Sequence, residues 1–127
     1  GVGGGITGKG AHVLVIDDPV KNREDAESQN NRDSNWDWYT STAYTRLAPG
    51  GGVLVILTRW HDDDLAGRLL KAGSDGGDEW EVVSYPAIAE QDEKFRDAGE
   101  ALHKERYDEV SLDRIRRAVG PRDWSAL

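Results

Sequence analysis

Residues 12–19 read His12-Val13-Leu14-Val15-Ile16-Asp17-Asp18-Pro19, and the fold follows from how this stretch is read. Four β-branched or Leu residues in a row suit a strand buried on both faces of a parallel sheet. Pro19 cannot donate to a sheet ladder and stops the run. A second run of the same kind, Val53 to Thr58, follows some forty residues on. Between them, Asn22 caps a short helix with Asp25 at the capping-box position, and Ser28 to Asn35 is a loop or a kinked helix. Trp36, Tyr39, Ala43 and Leu47 then recur at helical spacing and give one apolar face. Pro49 and Gly50 to Gly52 end that helix. Two parallel strands need such a crossover, so the pattern predicts βαβ units in an α/β fold.

Beyond the second strand, Asp62 or Asp63 is placed to cap a helix with apolar positions Leu65, Ala66, Leu69 and Leu70. Gly73 to Asp78 reads as a turn, and Trp80 to Tyr85 as a third strand ended by Pro86. Glu90 to Arg106 is a charged connector. Ser111 is read as the cap of a last helix carrying Leu112, Ile115 and Val119, stopped by Gly120-Pro121.

Bulk properties exclude more than they assign. The 127 residues suffice for one compact domain. With no cysteine, neither disulfides nor a thiolate metal site is available. No apolar run approaches the roughly 18 residues that span a bilayer, so no membrane partner is expected. The net charge of −8 argues against a chain that grips nucleic acid by itself. Its only basic concentration is Arg114, Arg116, Arg117 and Arg122. There is no methionine and the start is glycine-rich, so both ends read as cuts through a longer protein.

In parallel sheets of this kind, ligands bind outside the carboxyl ends of the strands. Those ends carry Asp17-Asp18, Thr58-Arg59-Trp60-His61 and Tyr85. An apolar strand closed by two carboxylates is the Walker B arrangement of nucleotide hydrolases, in which one acid holds Mg²⁺ and the next activates water. On spacing alone, a turn whose Asp caps the next segment explains the pair as well. Gly3 to Gly10 nearly matches a phosphate-binding loop. Gly10, however, replaces the hydroxyl that should bind Mg²⁺, and a strand follows where a helix should. It is therefore read as a glycine turn. Thr58 and Arg59 could sense a γ-phosphate or relay its loss. His61 with Asp62, Asp63 and Asp64 could suggest a metal cluster, or with Asp17 and Asp18 a metallohydrolase, but helix capping by the aspartates is the preferred reading. No partner for His12 or His103 can be named. The five tryptophans are read as core anchors rather than base-stacking platforms.

Taken together, several segments resemble the large terminase subunits of tailed phages and prophages. They are Gly1 to Ala11, Leu14 to Ala26, Trp36 to Thr42, Thr45 to Gly51, Leu57 to Leu69, Gly99 to Leu102 and Gly120 to Leu127. The resemblance implies a partial P-loop-NTPase-like parallel sheet with flanking helices, followed by a small helical linker segment. Residues 1–89 then look like the C-terminal half of the ATPase domain, and 90–127 like a linker subdomain leading to a nuclease. It implies Asp17 as the Mg²⁺ ligand and Asp18, where many relatives place Glu, as the water-activating base. Thr58, Arg59 and His61 fall in the coupling or sensor motif. Leu102-His103-Lys104-Glu105-Arg106-Tyr107 departs from the family's usual Leu-Trp-Pro-Glu-Arg-Tyr. The implied cofactors of the complete protein are ATP and Mg²⁺. The implied partners are double-stranded DNA, the portal protein and the small terminase subunit, in a homo-oligomer working at the procapsid in the host cytoplasm. The alternative from a different class is a non-catalytic prophage remnant or interaction module without the phosphate-binding loop.

Overall fold

Strand β1 (Ala11–Asp17) and strand β2 (Leu47–Ile56) form a two-stranded parallel sheet in the computed structural model, which describes residues 10–125. The glycine segment up to Lys9 lies outside the described residues. The α/β expectation holds: helices flank the sheet, and β1 and β2 are joined by a helical crossover. The chain divides into two compact units, residues 1–80 and 81–127.

In the first unit the crossover starts with α1 (Arg23–Glu27), capped by Asn22, whose Oδ1 accepts from the Asp25 N–H at 2.9 Å. Ser28 caps α2 (Gln29–Trp38), so the polar stretch left as loop or kinked helix is helical. Its helix runs on through a π-helical turn (Tyr39–Ala43) and a 3₁₀ turn (Tyr44–Arg46). Leu47, expected on the helix, instead opens β2. Pro49 and Gly50 to Gly52 lie inside that strand as a bulge: β2 spends five residues where β1 spends two. The absent Pro49 N–H is tolerated there because the bulge is unpaired.

Helix α3 (Leu65–Ser74) is capped by Asp64, not by Asp62 or Asp63. The Asp64 Oδ1 accepts from the Gly67 N–H at 2.8 Å. Only glycine suits position 67, because a Cβ there would lie 1.9 Å from the Asp62 carbonyl oxygen. The helix ends in a Schellman arrangement. Gly76 (φ 97°) donates to the Gly73 carbonyl at 3.1 Å, and Gly77 donates to the Ala72 carbonyl at 2.9 Å.

The core consists of Ile16, Tyr39, Ala43, Leu65 and Leu69, with Leu14, Trp36, Trp38, Val53, Val55 and Trp80 packed against it. Three of the five tryptophans are thus core anchors, as expected. Every sheet residue in that cluster points to one face. The other face is bare: Val13, Val15, Leu54 and Ile56 are 67, 53, 51 and 49 % exposed. The expectation of strands buried on both faces is therefore corrected, since the described helices cover one side only.

The expected third strand is also absent. Trp80 packs on the core, but residues 81–85 pair with neither β1 nor β2, and Val82, Val83 and Tyr85 are exposed. Without a ladder to satisfy its backbone, a β-branched run does not become a strand.

The second unit is organised around Arg96. Its Nε and Nη2 donate to the Glu93 carboxylate at 2.7 and 3.0 Å, and Nη2 also donates to the Pro86 carbonyl at 2.7 Å. The single bridge Ile88–Ala101 closes the loop that Arg96 fills. Helix α4 (Glu109–Trp124) is capped by Asp108, three residues ahead of the predicted Ser111, whose N–H donates to the Asp108 Oδ1 at 2.8 Å. Gly120 (φ 81°) breaks it ahead of Pro121, as the sequence predicts.

The one-sided sheet has a measurable signature. Leu54→Asp, on the bare face, should change stability by only about 0.5 kcal/mol or less. Val55→Asp, one residue on but facing the core, should unfold the unit. Equal effects in urea titration would contradict the assignment of the covered face.

Candidate functional site

The strand ends meet at one edge of the sheet because β1 and β2 are parallel. Asp17 pairs in register with Ile56, and the Asp18 N–H donates to the Ile56 carbonyl at 2.8 Å, carrying the ladder one residue past β1. Thr58 follows two residues beyond Ile56, so Asp17, Asp18 and Thr58 are brought to the same edge. Asp18 has φ 44°, the single non-glycine residue among the described ones with positive φ. Asp tolerates this left-handed region at a modest cost, and such outliers concentrate at functional sites.

Among the described residues the Asp17 and Asp18 carboxylates meet no hydrogen-bond or ion-pair partner. The capping role that a simple turn would give them belongs to Asn22. Along the strand Asp17 follows Val13 and Val15, so alternation directs it to the bare face.

The acids after β2 behave in the opposite way. Asp64 is buried; besides capping α3, it accepts from the Arg59 Nε at 2.6 Å. Arg59 also reaches the Asp62 carbonyl with Nη2, at 3.4 Å. The His61 Nδ1 accepts from the Asp63 N–H at 2.9 Å. Backbone bonds from Trp60 N to Thr58 O and from Asp64 N to His61 O, both 3.1 Å, fold the segment into consecutive turns. Thr58, Arg59 and His61 thus share a hydrogen-bonded run of turns that follows the end of β2. No group of three or more His, Asp or Glu side chains converges among the described residues, so the metal-cluster reading of His61 and its aspartates finds no support.

Sequence reasoning missed the clamp beneath this turn. Asp63 takes a bidentate pair from Arg68, Nε to Oδ1 at 2.9 Å and Nη2 to Oδ2 at 2.7 Å, plus the Arg32 Nε at 3.1 Å. Arg68 continues to Asp33 at 2.7 Å, and Arg32 to the Ala26 carbonyl at 2.7 Å. The network ties α1 and α2 to the turn that carries Thr58-Arg59. Its only signal in the sequence was Arg32-Asp33 inside a polar stretch, which has no periodicity to mark a partner. Hydrogen bonding to Arg68 is the main cause that lowers the Asp63 carboxyl from 3.8 to about 2. Arg68 is raised in return.

Residues 2–124 match the family model described as terminase large subunit, T4likevirus-type, N-terminal. The chain belongs to that family. Its role lies in phage DNA packaging. No curated protein and no solved structure matches the chain. None of its described helices is long and apolar enough to cross a membrane.

In this terminase chain the Asp63 clamp sets a pH response. A carboxyl lowered on folding contributes stability that is complete above its unfolded value and lost as pH falls through the folded one. Asp63 is half-exposed, so screening keeps the contribution small. Melting followed by circular dichroism should show a component lost between roughly pH 4 and pH 2. Asp63→Asn should melt lower at neutral pH and lack that component. An unchanged acid limb in the variant would remove Asp63 from the clamp.

Proposed function

We propose that this chain supplies the metal-binding and water-activating side of an ATPase that drives double-stranded DNA into the procapsid. The observation that carries the reading is the pair Asp17-Asp18. Among the described residues these two carboxylates have no hydrogen-bond or ion-pair partner, and they lie at the carboxyl end of a core strand, beside Thr58-Arg59 after the neighbouring strand. Parallel α/β sheets bind their ligands at that edge.

The donor set fits Mg²⁺ in a nucleotide site. Such ions take one or two carboxylates, keep several waters and complete their shell with substrate phosphates. Asp17 would hold the ion, which when bound neutralises charge on the phosphates. Asp18 orients the attacking water and accepts its proton, with the reach of a carboxylate one methylene shorter than Glu. The left-handed backbone at Asp18 turns the chain away from the ladder at this residue, so its carboxylate is aimed independently of Asp17.

Thr58 and Arg59 form the coupling element in this reading. The Arg59 guanidinium is held by Asp64, so contact with a γ-phosphate means exchanging one oxygen anion for another. Because Asp64 caps α3, that exchange would loosen the first turn of the helix and so pass the state of the nucleotide to a moving segment. His61 keeps the turn closed through the Asp63 N–H. The portal protein, the small terminase subunit and further copies of the same subunit are the partners such a motor requires. DNA cutting is assigned to a separate nuclease domain of the parent protein.

The test belongs in the complete terminase subunit. Asp18→Asn should lower ATP turnover by about 10²- to 10⁴-fold while leaving nucleotide affinity near wild type. Asp17→Asn should weaken Mg²⁺-dependent nucleotide binding itself. Wild-type turnover in the Asp18 variant would falsify the assignment of the base.

A further inference from the structure

A second feature of the first unit is unconnected with the strand ends. A cavity of about 240 Å³ opens beside α2 and α3, walled by Trp36, Tyr39, Tyr44 and Trp80, floored by Leu69 and carrying the carboxylate of Asp78. The rings are ordered. Trp36 and Tyr39 stack with centroids 6.1 Å apart and planes at 28°, and Tyr44 tilts against Tyr39 at 5.9 Å and 51°. The π-helical turn creates this array, because widening the helix at Tyr39–Ala43 shifts Tyr44 relative to the ring of Tyr39.

Asp78 is placed there by the end of α3. The Schellman turn through Gly76 and Gly77 brings the Asp78 carbonyl so close to Gly73 that a Cβ there would meet it at 2.7 Å. Among the described residues no Arg or Lys pairs with the Asp78 carboxylate. It acts instead on the two phenols: Tyr44 is raised chiefly by hydrogen bonding to Asp78, and Tyr39 is pushed up to about 12 by burial and then by the Asp78 charge. Both hydroxyls therefore stay neutral through the physiological range.

Three accessible rings (Trp36, Tyr44 and Trp80) and one carboxylate define the chemistry of an occupant, with the buried Tyr39 ring behind them. Ring faces attract cations through their quadrupole, and a carboxylate beside them adds a charged acceptor. The geometry points to a binding site for a guanidinium group, the side chain of an arginine presented by a partner protein segment. Guanidinium is preferred over ammonium because it is planar and can stack on an exposed indole or phenol face of Trp36, Tyr44 or Trp80 while pairing in two-pronged fashion with a carboxylate. A stacked nucleobase would bring phosphate towards Asp78, on a chain of net charge −8.

The experiment titrates the full 127-residue chain with Nα-acetyl-arginine amide, Nα-acetyl-lysine amide and adenosine, followed by tryptophan fluorescence and by amide shifts in two-dimensional NMR. The arginine probe should saturate in the roughly millimolar range, as a single side chain in a small aromatic site does. Its shifts should centre on Trp36, Tyr44, Asp78 and Trp80, and its affinity should fall as NaCl rises. Asp78→Asn should weaken it about tenfold and Tyr44→Phe should weaken it less. Both positions are at the surface, and unchanged circular dichroism confirms folding of either variant. Absence of arginine-dependent shifts at these residues, equal affinity in Asp78→Asn, or adenosine binding more tightly than the arginine probe would each overturn the proposal.

Discussion

The parallel ladder between β1 and β2, prolonged by the Asp18 N–H onto the Ile56 carbonyl, is the constraint on which the rest of the molecule depends. Paired antiparallel, the same two strands would put Asp17-Asp18 and Thr58-Arg59 at opposite ends of the sheet. Parallel pairing requires a crossover, and the forty-odd residues between the strands provide it through α1, α2 and their π and 3₁₀ continuation. That crossover also carries Tyr39 and Ala43 into the core against Ile16. One topological choice therefore sets both the covered face and the edge where the polar residues collect.

The two acidic clusters, similar as strings of letters, are put to unlike uses by this frame. Asp62, Asp63 and Asp64 lie on a short connection that must turn from a strand into a helix. The orphan N–H groups of α3 and the guanidinium groups of Arg59, Arg32 and Arg68 engage two of the three side chains at once, and the Asp62 carbonyl besides. Asp17 and Asp18 lie beyond a strand whose continuing backbone reaches its next helix four residues later, with Asn22 as the cap. Among the described residues no side-chain hydrogen bond or ion pair engages either carboxylate, whereas the Asp64 carboxylate caps α3 and holds Arg59.

How far the sequence alone carried depended on whether a signal was local. The first two strands, the Asn22 cap, the apolar positions Leu65 and Leu69 and the Gly120-Pro121 break rest on nearest-neighbour chemistry and are found, the second strand running Leu47–Ile56 rather than Val53 to Thr58. Cap positions slipped by one residue at Asp64 and by three at Asp108, because several acceptors in a row compete and only three-dimensional reach decides among them. Trp80 to Tyr85 had the composition of a strand, but a strand is a pairing, and no partner is encoded within five residues. The Asp63 clamp spans 31 residues to Arg32, and the ring array around Asp78 brings α2 to the turn after α3. Neither has a periodicity that a linear reading could find. At the strand ends, position was legible. Spacing alone does not decide between a catalytic pair and a simple turn at Asp17-Asp18, and the cap of the next helix falls to Asn22.

The bare face of the sheet bears on that same pair. A continuous apolar run such as Val13 to Ile16 has no period of two, so it names no solvent side and asks for cover on both. The described helices provide it on the side of Leu14, Ile16, Val53 and Val55 only. Asp17, alternating with Val15, therefore leaves β1 on the side away from the helices, and Asp18 turns there into left-handed backbone. A ligand engaging Asp17 would meet it on that side, beside the exposed Val15 and Ile56. The one-sided core thus does more than leave hydrophobic surface exposed. It leaves the acid at the end of β1 open to solvent on the side that the described helices do not cover.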